Sequence, residues 1–131
     1  MIKEAYVSYD VAKLLEKKGF WEEVSMYYDT WDENDIELCS RSDISSELFS
    51  YQPEGTYVKA PTHQMACAWI RAKGYIIEIQ ANPSGFVWSI DKLNGTNVAW
   101  SDFVGPNDDG AWDDYDECME NALMYCLVNL I

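Results

Sequence analysis

Between Tyr75 and Val104 the chain alternates apolar and polar residues in three short runs separated by turn signals, and no other stretch restricts the fold as tightly. Tyr75 to Ala81 alternates, Asn82-Pro83-Ser84-Gly85 reads as a turn, and Phe86 to Leu93 alternates again. Asn94-Gly95 is a strong hairpin signal, after which a third strand is expected from Thr96 to about Val104. A two-residue turn at Asn94-Gly95 sets Leu93 against Thr96, and hence Ile90 against Ala99, Trp88 against Ser101 and Phe86 against Phe103. A four-residue loop over 82–85 sets Ala81 against Phe86, Ile79 against Trp88 and Ile77 against Ile90. Both turns select the same apolar face. The opposite face carries Ile76, Glu78, Gln80, Val87, Ser89, Asp91, Val98, Trp100 and Asp102. A sheet apolar on one side needs helices there.

Helical patterns stand on either side of these strands. Pro61-Thr62 opens a helix with Thr62 as its N-cap, Met65, Ala66, Trp69 and Ile70 on one face, and Gly74 as its stop. From about Asp113 to Leu130, apolar residues recur at Tyr115, Cys118, Met119, Ala122, Leu123, Cys126, Leu127 and Leu130, the period of an amphipathic helix. Its acidic start suits the positive end of the helix dipole. In the first 60 residues, Ser8 caps a helix through Lys18, and Gly19 ends it with Phe20 at the Schellman contact position. Val24 to Tyr28 and Ile36 to Ser40 read as a hairpin across Asp32-Glu33-Asn34-Asp35, and residues 42–60 as loop, broken at Pro53 and Gly55, with one helical turn near Ser45 to Phe49.

The expected class is therefore α+β: a three-stranded antiparallel meander flanked by two helices, with an N-terminal helix-plus-hairpin extension. At 131 residues the expectation is a single domain, 1–131, with residues 1–60 as the extension and 61–131 as the core. A chain of this length buries roughly 65–70% of its unfolded surface.

Charge narrows the partners. Of the 23 acidic residues, ten lie between Glu22 and Glu54 with Arg41 as the lone basic residue, and eight lie between Asp102 and Glu120 with none. A net charge of -14 disfavours nucleic-acid phosphates and anionic membranes, which are gripped by Lys and Arg. The chain starts without an apolar leader and contains no apolar run of the roughly 18 residues a membrane span requires, so a soluble intracellular protein is expected. The helix–meander–helix order resembles a double-stranded RNA-binding domain. Such domains carry a basic cluster at the start of the last helix, whereas this chain reads Asp113-Asp114-Tyr115-Asp116-Glu117 there, which argues against RNA.

A resemblance rests on longer words: Val7-Ser8-Tyr9-Asp10-Val11-Ala12-Lys13-Leu14-Leu15-Glu16-Lys17-Lys18-Gly19-Phe20 with Tyr27-Tyr28-Asp29; Ala60-Pro61-Thr62-His63-Gln64-Met65-Ala66 with Trp69-Ile70-Arg71; and Tyr125-Cys126-Leu127-Val128-Asn129-Leu130-Ile131. Together these blocks resemble a group of small uncharacterised proteins encoded by phages and prophages of Bacteroides-type gut bacteria. The resemblance implies a bacterial-cytoplasmic or virion setting and carries no catalytic residues with it.

Chemical motifs are sparse. Four cysteines without a C-x-x-C read as reduced, mostly buried thiols, and one histidine does not complete a Cys/His zinc set. His63, at the first turn of its helix, reads as solvated or as a neighbour of the helix cap, and Cys67 lies one helical turn further on, within reach of the imidazole. Gly105 to Gly110 resembles half of a calcium loop, with Asn107, Asp109, Gly110 and Asp116 at positions 3, 5, 6 and 12, but Gly105 stands where an acid is required and a strand precedes it, so a turn with a helix N-cap is the better reading. No phosphate loop is present, and no cofactor or metal is expected. The leading expectation is a non-enzymatic protein-interaction module whose acidic surface meets a basic protein, imitating nucleic-acid charge. Its candidate contacts are Asp29, Asp32, Glu33, Asp35, Glu37 and Trp100. Trp100 either packs beneath the N-terminal 60 residues, the favoured alternative, or anchors a partner. Self-association as a structural or assembly protein is the second reading, and a small carboxylate hydrolase or carbohydrate binder the third.

Overall fold

A computed structural model describes residues 2–51 and 56–131. Pro53, Gly55 and Glu54 lie outside the described residues. The class is α+β, with two three-stranded antiparallel sheets and four α-helices among the described residues. The chain divides into two compact units, Met1–Thr62 and His63–Ile131.

In the first unit, α1 (Tyr9–Lys17) begins at Ser8, whose hydroxyl accepts from the Val11 N–H at 3.2 Å. It ends in the expected Schellman turn: Gly19 has φ +96°, and the Phe20 N–H donates to the Leu15 carbonyl at 2.9 Å. Val11, Ala12, Leu15 and Phe20 are buried. Strands β1 (Met26–Asp29) and β2 (Glu37–Ser40) form the expected hairpin, with Tyr27 opposite Cys39 and Asp29 opposite Glu37. The helical turn near Ser45 is α2 (Ser46–Tyr51). Part of the segment expected as loop is instead a strand, β3 (Tyr57–Lys59), which pairs antiparallel with the other side of β1. The sheet order is thus β2-β1-β3, and the N-terminal half has its own sheet.

Alternation at β1 and β3 gives this sheet two uses. Tyr28 and Val58 face α1, where Tyr28 Oη donates to the Val7 carbonyl at 2.7 Å and its ring meets Tyr9 edge-on. Tyr27, Tyr57 and Lys59 point the other way.

The second unit runs α3 (His63–Ala72), β4 (Tyr75–Asn82), β5 (Gly85–Lys92), β6 (Asn97–Trp100) and α4 (Tyr115–Tyr125), with the strands antiparallel in the order β4-β5-β6. Both helices contact the sheet and each other, so they share its apolar side. Ile77 faces Ile90, Ile79 faces Trp88 and Ala81 faces Phe86, in the expected register. The turn is tighter than expected, because Asn82 pairs with Gly85 and leaves only Pro83-Ser84 between the strands. At the second hairpin Ile90 faces Ala99 as expected, by a different route. The Lys92 N–H donates to the Thr96 carbonyl, and the Gly95 N–H to that of Lys92, each at 2.9 Å, which closes a three-residue loop over Leu93, Asn94 and Gly95. Asp91 therefore meets Asn97, and a bulge at Val98 restores the pairing of Ile90 with Ala99.

The third strand stops at Trp100. Phe103, expected opposite Phe86, instead adopts φ +60° in the loop that follows and is 81% exposed. Phe86 pairs with Trp112. A covalently distant residue takes the position because the loop from Ser101 to Ala111 folds back on itself, with the Gly105 N–H on the Gly110 carbonyl and the Asn107 N–H on that of Ala111.

The final helix starts later than expected. Asp114 caps it, accepting from the Asp116 N–H at 3.2 Å. Its last turn, Cys126–Leu130, widens to π geometry, with the Ile131 N–H reaching back to the Cys126 carbonyl at 3.0 Å. Cys118, Met119, Ala122, Leu123, Cys126 and Leu127 are buried along the expected stripe.

Candidate functional site

The acidic candidates of the first unit come together on one hairpin. Asp29 closes β1 and pairs across the ladder with Glu37, the first residue of β2; Asp32, Glu33 and Asp35 lie in the connection, which is exposed. Two of these carboxylates shape the loop. Asp29 Oδ1 accepts from the Trp31 N–H and Asp32 Oδ1 from the Asn34 N–H, each at 3.0 Å, as Asx turns do. Glu33, Asp35 and Glu37 have no side-chain hydrogen bond of this kind. Among the described residues no salt bridge joins a Lys or Arg to any of the five.

Trp100 belongs to the second unit, at the end of β6. It is 61% exposed. It borders a shallow groove with Val87, Ser89, Asp102 and Asp109. Two further tryptophans of the first unit also stand in solvent: Trp31, 71% exposed within the acidic hairpin, and Trp21, 73% exposed just after α1. Sequence reasoning missed both, since a large aromatic residue in a small domain is ordinarily core. No periodic signal marks them, because Trp21 follows a helix stop and Trp31 sits in a turn.

The histidine corrects the sequence reading more sharply. His63 is not solvated but buried, on the α3 face shared with Ala66 and Ile70. Its Nε2 lies 2.7 Å from Glu120 Oε1, and Nδ1, which has no hydrogen-bond partner, is 3.8 Å from Asp116 Oδ1. Helix α4 thus brings two carboxylates to one imidazole. The thiol one turn further on does not complete a nucleophilic pair. Cys67 Sγ contacts Met119 Sδ at 3.5 Å, and burial pushes its pKa up to about 11, against a small opposing effect of Arg71. At neutral pH it is a protonated thiol, the wrong form for attack. Burial raises Cys118 to about 11 and, with Cys67 nearby, Cys126 to about 12.

The segment resembling a calcium loop is committed to structure. Asn107 donates its amide to the Ser84 carbonyl at 2.9 Å and to Asp113 Oδ1 at 2.6 Å, and residues Asp108–Gly110 form a 3-10 turn. Among the described residues, no group of three or more His, Cys, Asp or Glu side chains is placed to hold a metal ion. The acidic start of α4 is exposed, with Asp113, Asp114, Asp116 and Glu117 on the surface. Among the described residues, no helix is long and apolar enough to cross a membrane.

No protein-family model matches this chain, and no curated protein or solved structure matches it significantly.

Proposed function

We propose that this chain is a non-enzymatic protein-interaction module of phage or prophage origin, acting in the bacterial cytoplasm or the virion, whose acidic hairpin engages a basic protein partner. One observation carries the reading: Asp29, Asp32, Glu33, Asp35 and Glu37 are gathered on one largely exposed hairpin, and no Lys or Arg among the described residues forms a salt bridge with them. Carboxylates grouped without a salt-bridged cation present a field that a Lys- or Arg-rich surface complements, as a nucleic-acid backbone does. Complementary charge of this kind accelerates encounter and selects partners, and salt weakens it.

The test is recovery of bound proteins from a lysate of the bacterial host at low and high salt, using the wild-type chain and the triple variant Glu33→Gln, Asp35→Asn, Glu37→Gln. These three carboxylates carry no loop hydrogen bond. The expected result is a basic protein retained at low salt only and lost from the variant. A complex indifferent to both salt and variant overturns the reading.

Exposure of Trp100 supports a second reading, self-association through the outer sheet face. Mass in solution then distinguishes the two: a dimer that dissociates on Trp100→Glu favours self-association, and a monomer in both forms removes it.

A further inference from the structure

The face of the first sheet turned away from α1 is walled by aromatic rings. Tyr27 lies opposite Lys59 in the β1–β3 ladder and Tyr57 is two residues before Lys59, so all three project from the same side. Phe49 of α2 meets Tyr27 edge-on with centroids 5.3 Å apart and stacks on Tyr57 at 5.8 Å. With exposed Trp21, buried Phe20, Glu16 and Lys59, these rings line a cavity of about 170 Å³.

The electrostatics of this cavity are unusual for an apolar pocket. Burial raises the pKa of both phenols; on Tyr27 the Arg41 guanidinium opposes the rise and Glu23 adds to it, and on Tyr57 Asp29 adds to it, so both rings are neutral. Phe49 already carries a cation on one face, the Arg41 guanidinium carbon lying 4.1 Å from its centroid. The ammonium of Lys59 is held by two carbonyls, those of Trp21 at 3.0 Å and Glu22 at 2.6 Å.

From this geometry we infer that the cavity binds a methylated organic ammonium, with the rings of Trp21, Tyr27, Phe49 and Tyr57 around the head and Glu16 supplying the countercharge. Ring faces attract a cation through their quadrupole, most strongly where water is displaced. A primary ammonium has three N–H donors to satisfy, and among the described lining residues Glu16 is the only acidic one; a trimethylammonium has no donors and is cheaper to desolvate. The same head occurs in free choline-like molecules and in trimethylated lysine side chains. None of the five hairpin carboxylates lines this cavity, so the two readings are tested by different variants.

The full chain is titrated by calorimetry with choline, with a short peptide carrying trimethyllysine, and with 3,3-dimethylbutan-1-ol, the uncharged isostere of choline. Binding of either cation about tenfold tighter than the neutral alcohol is expected, as cation–π attraction of this type provides. Trp21→Ala removes a mostly exposed side chain, keeps the fold and weakens the cation about tenfold. Lys59→Met removes the positive charge found among the described lining residues and tightens it. Choline binding alone assigns a free ligand, and peptide binding alone a modified protein. Equal affinity for the neutral alcohol, no binding of either cation, affinity unchanged in Trp21→Ala, or weakening in Lys59→Met each overturns the assignment.

Discussion

Phe86 and Trp112 exchange both backbone hydrogen bonds, the Phe86 N–H donating to the Trp112 carbonyl at 2.7 Å and the Trp112 N–H returning to that of Phe86 at 2.9 Å. This isolated bridge anchors the segment between β6 and α4 to the start of β5. It also explains Gly85, which has φ +134° and whose place leaves a side chain no room: an added Cβ would lie 2.3 Å from the Trp112 carbonyl oxygen. Gly85→Ala is expected to cost on the order of 3 kcal/mol in chemical denaturation, combining a forbidden backbone with a clash against main chain. Gly74→Ala provides the comparison. That residue has φ +106° with open space around it, so only the backbone cost of roughly 1–2 kcal/mol remains.

The indole of Trp88 supplies a second test. Trp88 is buried at the centre of β5, and its Nε1–H donates to Asn121 Oδ1 of α4 at 2.9 Å. Asn121→Leu strands that donor and should cost about 1–3 kcal/mol. Adding Trp88→Phe removes the stranded group, so the double variant should lose less than the sum of the two single losses. Simple additivity in a denaturant series would show that the hydrogen bond does not couple strand and helix.

Much of the second unit was legible because two local signals agreed. Alternation across Tyr75 to Leu93 and the turns on either side of β5 chose one face, and Ile77, Ile79, Trp88, Ile90 and Ala99 meet as counted. Agreement at Ile90–Ala99 nevertheless arises from two offsetting departures, an extra loop residue and the Val98 bulge. Period-2 counting sees neither. β3 was hidden for another reason: three residues between breakers carry too little alternation to register, and their pairing with β1 is non-local. His63 was misplaced because one histidine at a helix start has no periodic context, whereas its burial depends on α4, far along the chain. The acidic hairpin was legible, while Trp21, Trp31 and the aromatic cavity depend on which rings tertiary packing brings together.

The thiols make a pH prediction with a definite sign. Burial holds Cys67 and Cys118 at about 11 and Cys126 at about 12, above the ordinary thiol value. Between pH 9 and about 11 to 12 the unfolded chain gives up protons that the folded chain keeps. Stability is therefore undiminished by these groups below pH 9 and falls as pH rises through that window. Urea midpoints measured from pH 7 to 11 should show the decline, and Cys67→Ser with Cys126→Ser should flatten it. Alkylation at pH 8 followed by mass spectrometry should label Cys39 first. Its thiol is also raised, chiefly by burial and then by Asp29, but it is more accessible than Cys118 and Cys126.

Phe103 separates stability from recognition. It holds φ +60° although it is not glycine, and an 81% exposed ring gains little from packing to offset that conformation. Phe103→Gly should raise stability by about 0.5–1 kcal/mol, because glycine adopts this backbone freely. The same strain at Asp109, also at φ +60°, gives an internal control: Asp109→Gly should stabilise by a similar amount. Phe103 follows Trp100 and Asp102 on the exposed side of the second unit. If that face meets a partner or a second copy, Phe103→Gly will be more stable yet bind less, whereas Asp109→Gly will lose only the contribution of one charge. A Phe103→Gly protein less stable than wild type would show that the ring, despite its exposure, holds the loop in place.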